Sequence, residues 1–295
     1  MVYKRLLLVK QASEISLKSN FVRRQFTSKL MHNIRQSFNE NNVELKLFEK
    51  AGGRFFFNTL DNDKAGEILR KTFGVFQVIN VFHKTFSNKP SLEQVLSEVE
   101  LFSDDYIEGN SGTFSLSVNR VGEHDFTSQD ITLNGSKMIA EKYDLKVDLK
   151  NPVVFVELRE KNLFLWAKKQ VINCFSGLPL GVEGKVAFLF EGKKEDLIAA
   201  WLLMKRGCFI QPVIEKESEL ISSQLKKLSE WNNFQEFKPV KELKFDSWFQ
   251  GIGLGLTKLD SKKVMDLKEK FGLPVLLPLV LFSKEKLNEI ERVLT

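Results

Sequence analysis

Cysteine, histidine and tyrosine are all scarce in this chain, at two, three and three of 295 residues. Two cysteines, Cys174 and Cys208, exclude a disulfide framework and point to a reducing compartment, so the expected location is the cytoplasm. Three histidines with no neighbouring cysteine offer no metal-ligating pattern. No stretch approaches the ~18 apolar residues that a membrane-spanning helix needs. The apolar run 275–282 is short and contains Pro278, and the opening MVYKRLLLVKQ has too short an apolar core for a secretion signal. There is no C-x-x-C pair, and no Ser, His and Asp set framed by a nucleophile motif.

Phenylalanine is abundant instead, at 26 residues, within 43% hydrophobic and 28% charged residues. That composition describes a globular protein with an aromatic-rich core. Positive charge is concentrated early. The first sixty residues hold eleven Lys or Arg against four Asp or Glu, although the whole chain carries only +6. A basic front end suits a polyanionic partner and equally suits a solvated surface.

Apolar periodicity divides the chain. Residues 5–9 predict a strand. A long helix follows, reaching about Asn39, with Val22, Phe26, Leu30, Ile34 and Phe38 as its buried stripe. Arg23 projects onto that apolar side. Residues 43–48 and 54–58 predict a strand pair around Gly52-Gly53, and Asp61 caps a helix to about Phe73. Strand, helix, strand, strand, helix is most of a ferredoxin-like α+β unit. Strands are predicted at 75–86, 113–119, 153–159 and 163–169, with helices at 91–106 and after Ser128. Phe175-Ser176-Gly177-Leu178-Pro179-Leu180-Gly181 is a punctuated connector. Beyond it, 186–190 reads as a buried strand and 194–206 as a helix, joined by the polar turn Glu191-Gly192-Lys193. Further strands are expected at 209–214 and 236–240, with a polar helix at 217–231. Alternating strands and helices here predict a doubly wound α/β domain.

Strand, tight turn and helix N-terminus form a common phosphate-holding device, which needs small residues so that backbone N–H groups can close on the anion. Glu191 puts a carboxylate there, and Lys193 puts a Cβ where a glycine is free to take a positive φ.

Three stretches resemble the tRNA 4-thiouridine synthetases, or tRNA sulfurtransferases. Glu14, Ile15, Leu17, Lys18, Ser19, Arg23, Phe26, Leu30, Asn33 and Ile34 match the family's E-I-x-L-K-(G/S), R-x-x-F and L-x-x-N-I pattern. Arg120-Val121-Gly122-Glu123-His124-Asp125-Phe126 and the later Lys146–Pro152 match its THUMP domain. Gly184-Lys185 and Ala199–Cys208 match the flanks of its pyrophosphatase (PP) loop, SGGxDS. Within that loop, Glu191 replaces Ser, Gly192 is kept, Lys193 replaces the second Gly, Glu195 replaces Asp and Asp196 replaces the last Ser. A T-G-(E/D)-S type loop is represented by Asp246 and Ser247, with Trp248 and Phe249 at small or polar positions. Leu277 stands where P-V-L-R-P-L has arginine.

The resemblance implies a ferredoxin-like domain over 1–73, a THUMP RNA-binding domain over 74–172, a linker at 173–183 and a shortened, degenerate PP-loop domain over 184–295. It implies a tRNA partner, held by its acceptor end. Lys10, Lys18, Arg23, Arg24, Arg35, Arg54, Arg120, His124, Lys168 and Lys169 are the candidate contacts, with a turn-capping role equally open to His124. The altered loop implies a tRNA-binding protein without adenylation or sulfur transfer of its own, needing no cofactor, and working as a homodimer or beside an active modification enzyme. Two other readings stay open. One is an active sulfurtransferase that uses ATP and Mg²⁺ through an altered loop with sulfur from a partner. The other is a structural subunit without RNA contact. Cys174, in the linker, is the remaining candidate sulfur carrier, and Cys208 reads as core.

Overall fold

The computed structural model describes residues 3–107, 112–242 and 249–294. The first unit runs β1 (Lys4–Gln11), α1 (Ser13–Ser16), α2 (Asn20–Glu40), β2 (Lys46–Ala51), β3 (Arg54–Asn58), α3 (Asn62–Arg70) and β4 (Val75–Thr85). Its strands lie in the order β2-β3-β1-β4 and all neighbours are antiparallel, which is the ferredoxin-like arrangement. Alternation along β1 explains its two-sided burial. Leu7 and Val9 face Leu30, Ile34, Phe38 and Ile68 of the helices, while Leu6 and Leu8 face the opposite way. Asp61 caps α3 as expected, accepting from the Lys64 N–H at 2.9 Å.

The second unit comprises α4 (Leu92–Ile107), β5 (Thr113–Phe114), β6 (Leu116–Val121), α5 (Ser128–Lys142), β7 (Lys146–Val147), β8 (Val154–Arg159), β9 (Asn162–Ala167) and β10 (Val171–Asn173). Strand β4 belongs to both units. It pairs with β1 on one edge and with β9 and β10 on the other, so a single sheet runs β2-β3-β1-β4-β9-β8-β6. Between β9 and β10 a three-residue 3-10 turn, Lys168–Gln170, leaves the strand path. The expected strand 163–169 therefore ends early, and Lys168 and Lys169 are lifted to the surface.

This sheet is strongly rolled. Phe56 on β3 and Phe164 on β9 are three strand positions apart, or ~14 Å in a flat sheet, yet their rings stack at 4.1 Å. Rolling closes the face away from the helices into a second core of Leu6, Leu8, Phe56, Ile79, Phe164 and Trp166. Much of the phenylalanine content is spent on lining both faces.

The third unit is a parallel sheet, β12-β11-β13-β14. Its elements are β11 (Lys185–Phe190), α6 (Lys194–Lys205), β12 (Phe209–Ile214), α7 (Glu219–Ser229), β13 (Phe249–Leu254), α8 (Ser261–Phe271), β14 (Val275–Leu276) and α9 (Lys284–Leu294). Two expectations fail here. Residues 236–240 contribute only a bridge between Val240 and Val213. Phe249, placed in a loop by the resemblance, opens a strand over 249–254. Asp246, Ser247 and Trp248 lie outside the described residues.

Helix α2 joins the first unit to the third. Its buried residues are Thr27, Leu30, Met31, Asn33, Ile34, Ser37 and Phe38, while Val22 and Phe26 are only half-buried. The expected stripe is displaced because a second partner covers the side of α2 that carries Asn33. Asn33 Nδ2 donates to the Leu180 carbonyl at 3.0 Å, and Asn233 Nδ2 donates to Gln36 Oε1 at 3.1 Å. Phe73, from the end of the first unit, stacks on Trp231 and meets Trp201 edge-on within the third unit's core.

Candidate functional site

The candidate cations separate into two sets. Lys10 and Arg54, cross-strand partners on β1 and β3, point into the rolled face. Lys10 lies over the Trp166 ring at 5.5 Å. Burial, reinforced by Arg54, pushes its ammonium below the ordinary lysine range. Arg54 reaches the fully buried Glu157, which also accepts from Arg159, and Arg159 in turn meets Glu49. Burial raises the Glu49 carboxyl in spite of Arg159. This ionic row crosses from β3 to β8 and from β8 to β2, so it serves the rolling of the sheet. Arg54 is thereby removed from the set of freely available phosphate contacts.

Arg120 and His124 are also committed internally. Arg120 Nη1 donates to the Gly122 carbonyl at 3.0 Å and to His124 Nδ1 at 3.1 Å. His124 Nε2 then donates to the Glu160 carbonyl at 2.8 Å. The chain of donors assigns the Nε2–H tautomer and ties the β6–α5 loop to the β8–β9 hairpin. His124 is a turn lock here, the second of the two roles open to it.

The remaining cations, Lys18, Arg23, Arg24, Arg35, Lys168 and Lys169, are exposed. Arg23 sits on the outside of α2, held to Asn20 Oδ1 at 2.5 Å, and not on the apolar side. Between Asn20 and Asn39 the helix holds no carboxylate side chain, and its first turn holds none to complement the macrodipole. Leu17 and Phe21, 86% and 70% exposed, lie among these cations. Sequence reasoning missed Phe21, whose signal was a Phe directly before the expected helical stripe.

The loop after β11 is closed by its own helix. Asp196, fully buried, accepts the backbone N–H groups of Glu191 and Lys193 on Oδ2 at 2.9 and 3.0 Å. These are the donors that a bound phosphate in such a loop would take. Asp196 Oδ1 is buried with no partner among the described residues. Burial raises the Asp196 carboxyl above its usual range, against the pull of the two N–H groups. The loop following β13 covers it, and a Cβ on Gly255 would lie 2.3 Å from Oδ1.

Glu191 turns outward. It pairs with Lys193 at 2.6 Å and with Lys263 of α8. Burial opposes its ionisation, but the two lysines outweigh burial and hold its carboxyl below the ordinary range. Gln224 of α7 fixes the turn by donating to the Lys193 carbonyl at 2.7 Å. The backbone corrects one expectation. Gly192 alone among the turn residues takes a left-handed φ, +77°, whereas Lys193 has φ −100° and needs no glycine. Glu195 is half-buried on the first turn of α6. Sequence reasoning singled out Glu191 and missed that Asp196 does the closing. The signal was present, since an acid three residues after a helix N-cap is the capping-box position.

A cleft of about 990 Å³ opens beside this turn, at the carboxyl ends of β11 and β12, where doubly wound folds bind nucleotides. Its rim carries Glu191, Glu215, Glu217 and Glu242 against Lys216, Lys241 and Lys270. The cradle donors already serve a carboxylate, and the nearest lysines serve Glu191. Both cysteine thiols are desolvated. Burial pushes the Cys174 thiol up to about 12 and the Cys208 thiol to about 11, far from thiolate at neutral pH. No group of three or more potential metal ligands occurs among the described residues, and no helix there is long and apolar enough to cross a membrane.

Comparison with known proteins bears on both halves of this picture. Residues 6–78 match the ThiI ferredoxin-like domain and residues 90–166 match the THUMP domain. The chain belongs to the tRNA sulfurtransferase family. A probable tRNA sulfurtransferase of Methanobrevibacter smithii is 33% identical over 205 residues, covering 68% of this chain and 51% of that protein. One from Methanothermobacter thermautotrophicus is 32% identical over 246 residues, covering 79% and 60%. The chain thus spans about half to three-fifths of the length of these curated relatives. Two solved structures share the fold. PH1313 from Pyrococcus horikoshii superimposes with a TM-score of 0.82 at 23% identity, covering 98% of this chain and 99% of that one. A 4-thiouridine synthetase, solved in complex with RNA and bound ATP, gives 0.76 at 20% identity, covering 99% and 85%.

Proposed function

We propose that this chain is a tRNA-binding member of the sulfurtransferase family that neither adenylates nor thiolates tRNA itself. RNA is held by the ferredoxin-like and THUMP units, through Lys18, Arg23, Arg24 and Arg35 on α1–α2 and through Lys168 and Lys169 on the 3-10 turn. The acceptor end is the part of tRNA that the family resemblance assigns to these units. The observation that carries the second half of the reading is the buried Asp196 carboxylate on the loop N–H groups. An anion that is part of the protein holds the donors that ATP would need, so no cofactor is required. The chain then presents its tRNA within a homodimer or to a separate modification enzyme, in the cytoplasm.

Two measurements test this. Filter binding of tRNA over a salt series is expected to give a log–log slope near −4 to −5, about six phosphates at ~0.7–0.9 each; absence of binding overturns the RNA half. ATP–pyrophosphate exchange with tRNA present is expected to stay at background, and robust exchange establishes the active-enzyme reading in its place.

A further inference from the structure

At the opposite end of α6 from the Glu191 turn lies a second cavity, of about 540 Å³, within the size range of small-molecule sites. Its walls come from the connector, from α6 and from α9. Phe175, Leu178, Trp201, Leu202, Phe282 and Ile290 make it mainly apolar and aromatic. The mouth is ringed by Lys205, Arg206, Lys286, Glu14 and Glu289.

Two groups in this lining are chemically incomplete. Trp201 is 3% exposed, and its indole N–H is buried with no acceptor among the described residues. Lys205, one turn further along α6, lies over the Trp201 ring at 5.3 Å and is half-buried. Neither Lys205 nor Arg206 has an ion-pair partner among the described residues. Desolvation lowers the Lys205 ammonium, Lys286 adds to that, and only Glu14 acts against it. The two carboxylates at the mouth are already engaged. Glu14 Oε1 accepts the Gly177 N–H at 3.3 Å, and Glu289 pairs with Lys286 at 2.6 Å.

Lys205 and Arg206 therefore present charged donors without ion-pair partners among the described residues above an apolar, aromatic floor. Donors of this kind are completed by an acceptor-only group, and the floor by a ring or alkyl body. We propose that the cavity binds a small amphipathic anion, a molecule with an aromatic or aliphatic body and one carboxylate or equivalent acidic group. The anion meets Lys205 and Arg206, and the body lies against Phe175, Phe282 and Ile290. The site is separate from the nucleotide-side cleft, and it stands whether or not the chain binds tRNA. Because the walls bring together Glu14 of the first unit, the connector and the third unit, a ligand here clamps the three against one another.

The probe is 1-anilinonaphthalene-8-sulfonate, titrated into the full-length chain and read by energy transfer from tryptophan. One saturable site per chain is expected, with affinity that falls as salt rises. The uncharged analogue N-phenyl-1-naphthylamine is expected to bind at least about tenfold more weakly, the effect of one charge-assisted contact. Lys205→Met keeps the stem over the indole and removes the charge, and the same loss is expected. Val293→Trp, at a rim position 40% exposed, is expected to block the site while thermal unfolding and tRNA binding stay as in the parent. Equal affinity for the charged and neutral probes overturns the proposal without any variant. Unchanged sulfonate affinity in both variants, or no saturable site, overturns it as well.

Discussion

Arg54 donates to a carboxylate oxygen of Glu157 at 2.5 Å, although the two residues sit on strands four positions apart in the sheet. Glu157 is fully buried and Arg54 retains 30% side-chain exposure. Removing one partner of a buried pair leaves a charge with nothing to offset its desolvation, at about 3–5 kcal/mol. Arg159 also donates to Glu157 and softens that loss. Arg54→Ala is therefore expected to destabilise the chain by about 2 kcal/mol, read as a lower urea midpoint. Arg54→Lys, which keeps the charge and loses the forked geometry, is expected to fall in between.

The exposed cations give the opposite outcome. Lys18→Ala combined with Arg24→Ala removes two charges from solvated positions, where stability effects stay within ~0.5 kcal/mol. Two fewer phosphate contacts make the salt slope of tRNA binding shallower by about 1.5. An unchanged slope places the RNA elsewhere. Phe21→Ala in the same assay is expected to weaken binding to tRNA bearing its single-stranded 3′ end and to leave a blunt acceptor stem unaffected, since unpaired bases stack on exposed rings.

His124 is expected to behave as a structural residue. His124→Ala removes the acceptor for Arg120 and the donor to Glu160, and leaves Arg120, whose Nε is already buried without a partner, less satisfied still. A loss of about 1–3 kcal/mol in stability follows. The tRNA salt slope is expected to keep its value, because no phosphate contact is removed. A shallower slope with unchanged stability shows His124 on the RNA.

Most of the architecture was legible in the residues. The apolar runs RLLLV and VFQVINVF and the 3.6-residue spacing in the helices placed these elements in order, and the 209–214 strand falls where it was expected. What was hidden depends on neighbours distant in the chain. The apolar stripe of α2 shifted because Leu180 and Asn233 cover its far side. Lys10 and Arg54 looked like surface cations because nothing local says that a sheet rolls; the Phe56–Phe164 contact and the Arg54–Glu157 pair do. In the phosphate-type loop the changed letters were visible, but their division of labour was not. Glu191 faces two lysines, one of them from α8, and only the three-dimensional fold brings Lys263 to it. Residues 249–254 escaped as a strand because Gly251 and Gly253 break the apolar alternation.

Asp196 yields a pH signature of its own. Burial raises its carboxyl in the folded chain above the value it has unfolded. The unfolded state therefore gives up its proton first as pH rises, so the folded state loses ground from the unfolded value upward and has lost all of this contribution once pH is above the folded value. Its contribution is most favourable below the ordinary carboxylate range and declines as pH rises through the folded value. Glu191 runs the other way. Its carboxyl is held low in the fold, so its contribution is present at neutral pH and is lost under acid. The difference in unfolding free energy between the parent and Asp196→Asn isolates the first effect, because Asn keeps an oxygen for the loop N–H groups and does not titrate. Between about pH 3.5 and 7, the usual carboxylate range and above, the parent is expected to gain on Asp196→Asn as pH falls. A parent that instead loses ground toward acid shows the N–H donors outweighing burial. Asp196→Ser carries the argument to the loop itself. It withdraws the internal anion and frees both N–H groups, so inorganic pyrophosphate is expected to protect this variant against thermal unfolding and to leave the parent unmoved. Equal protection of both places the anion away from the turn.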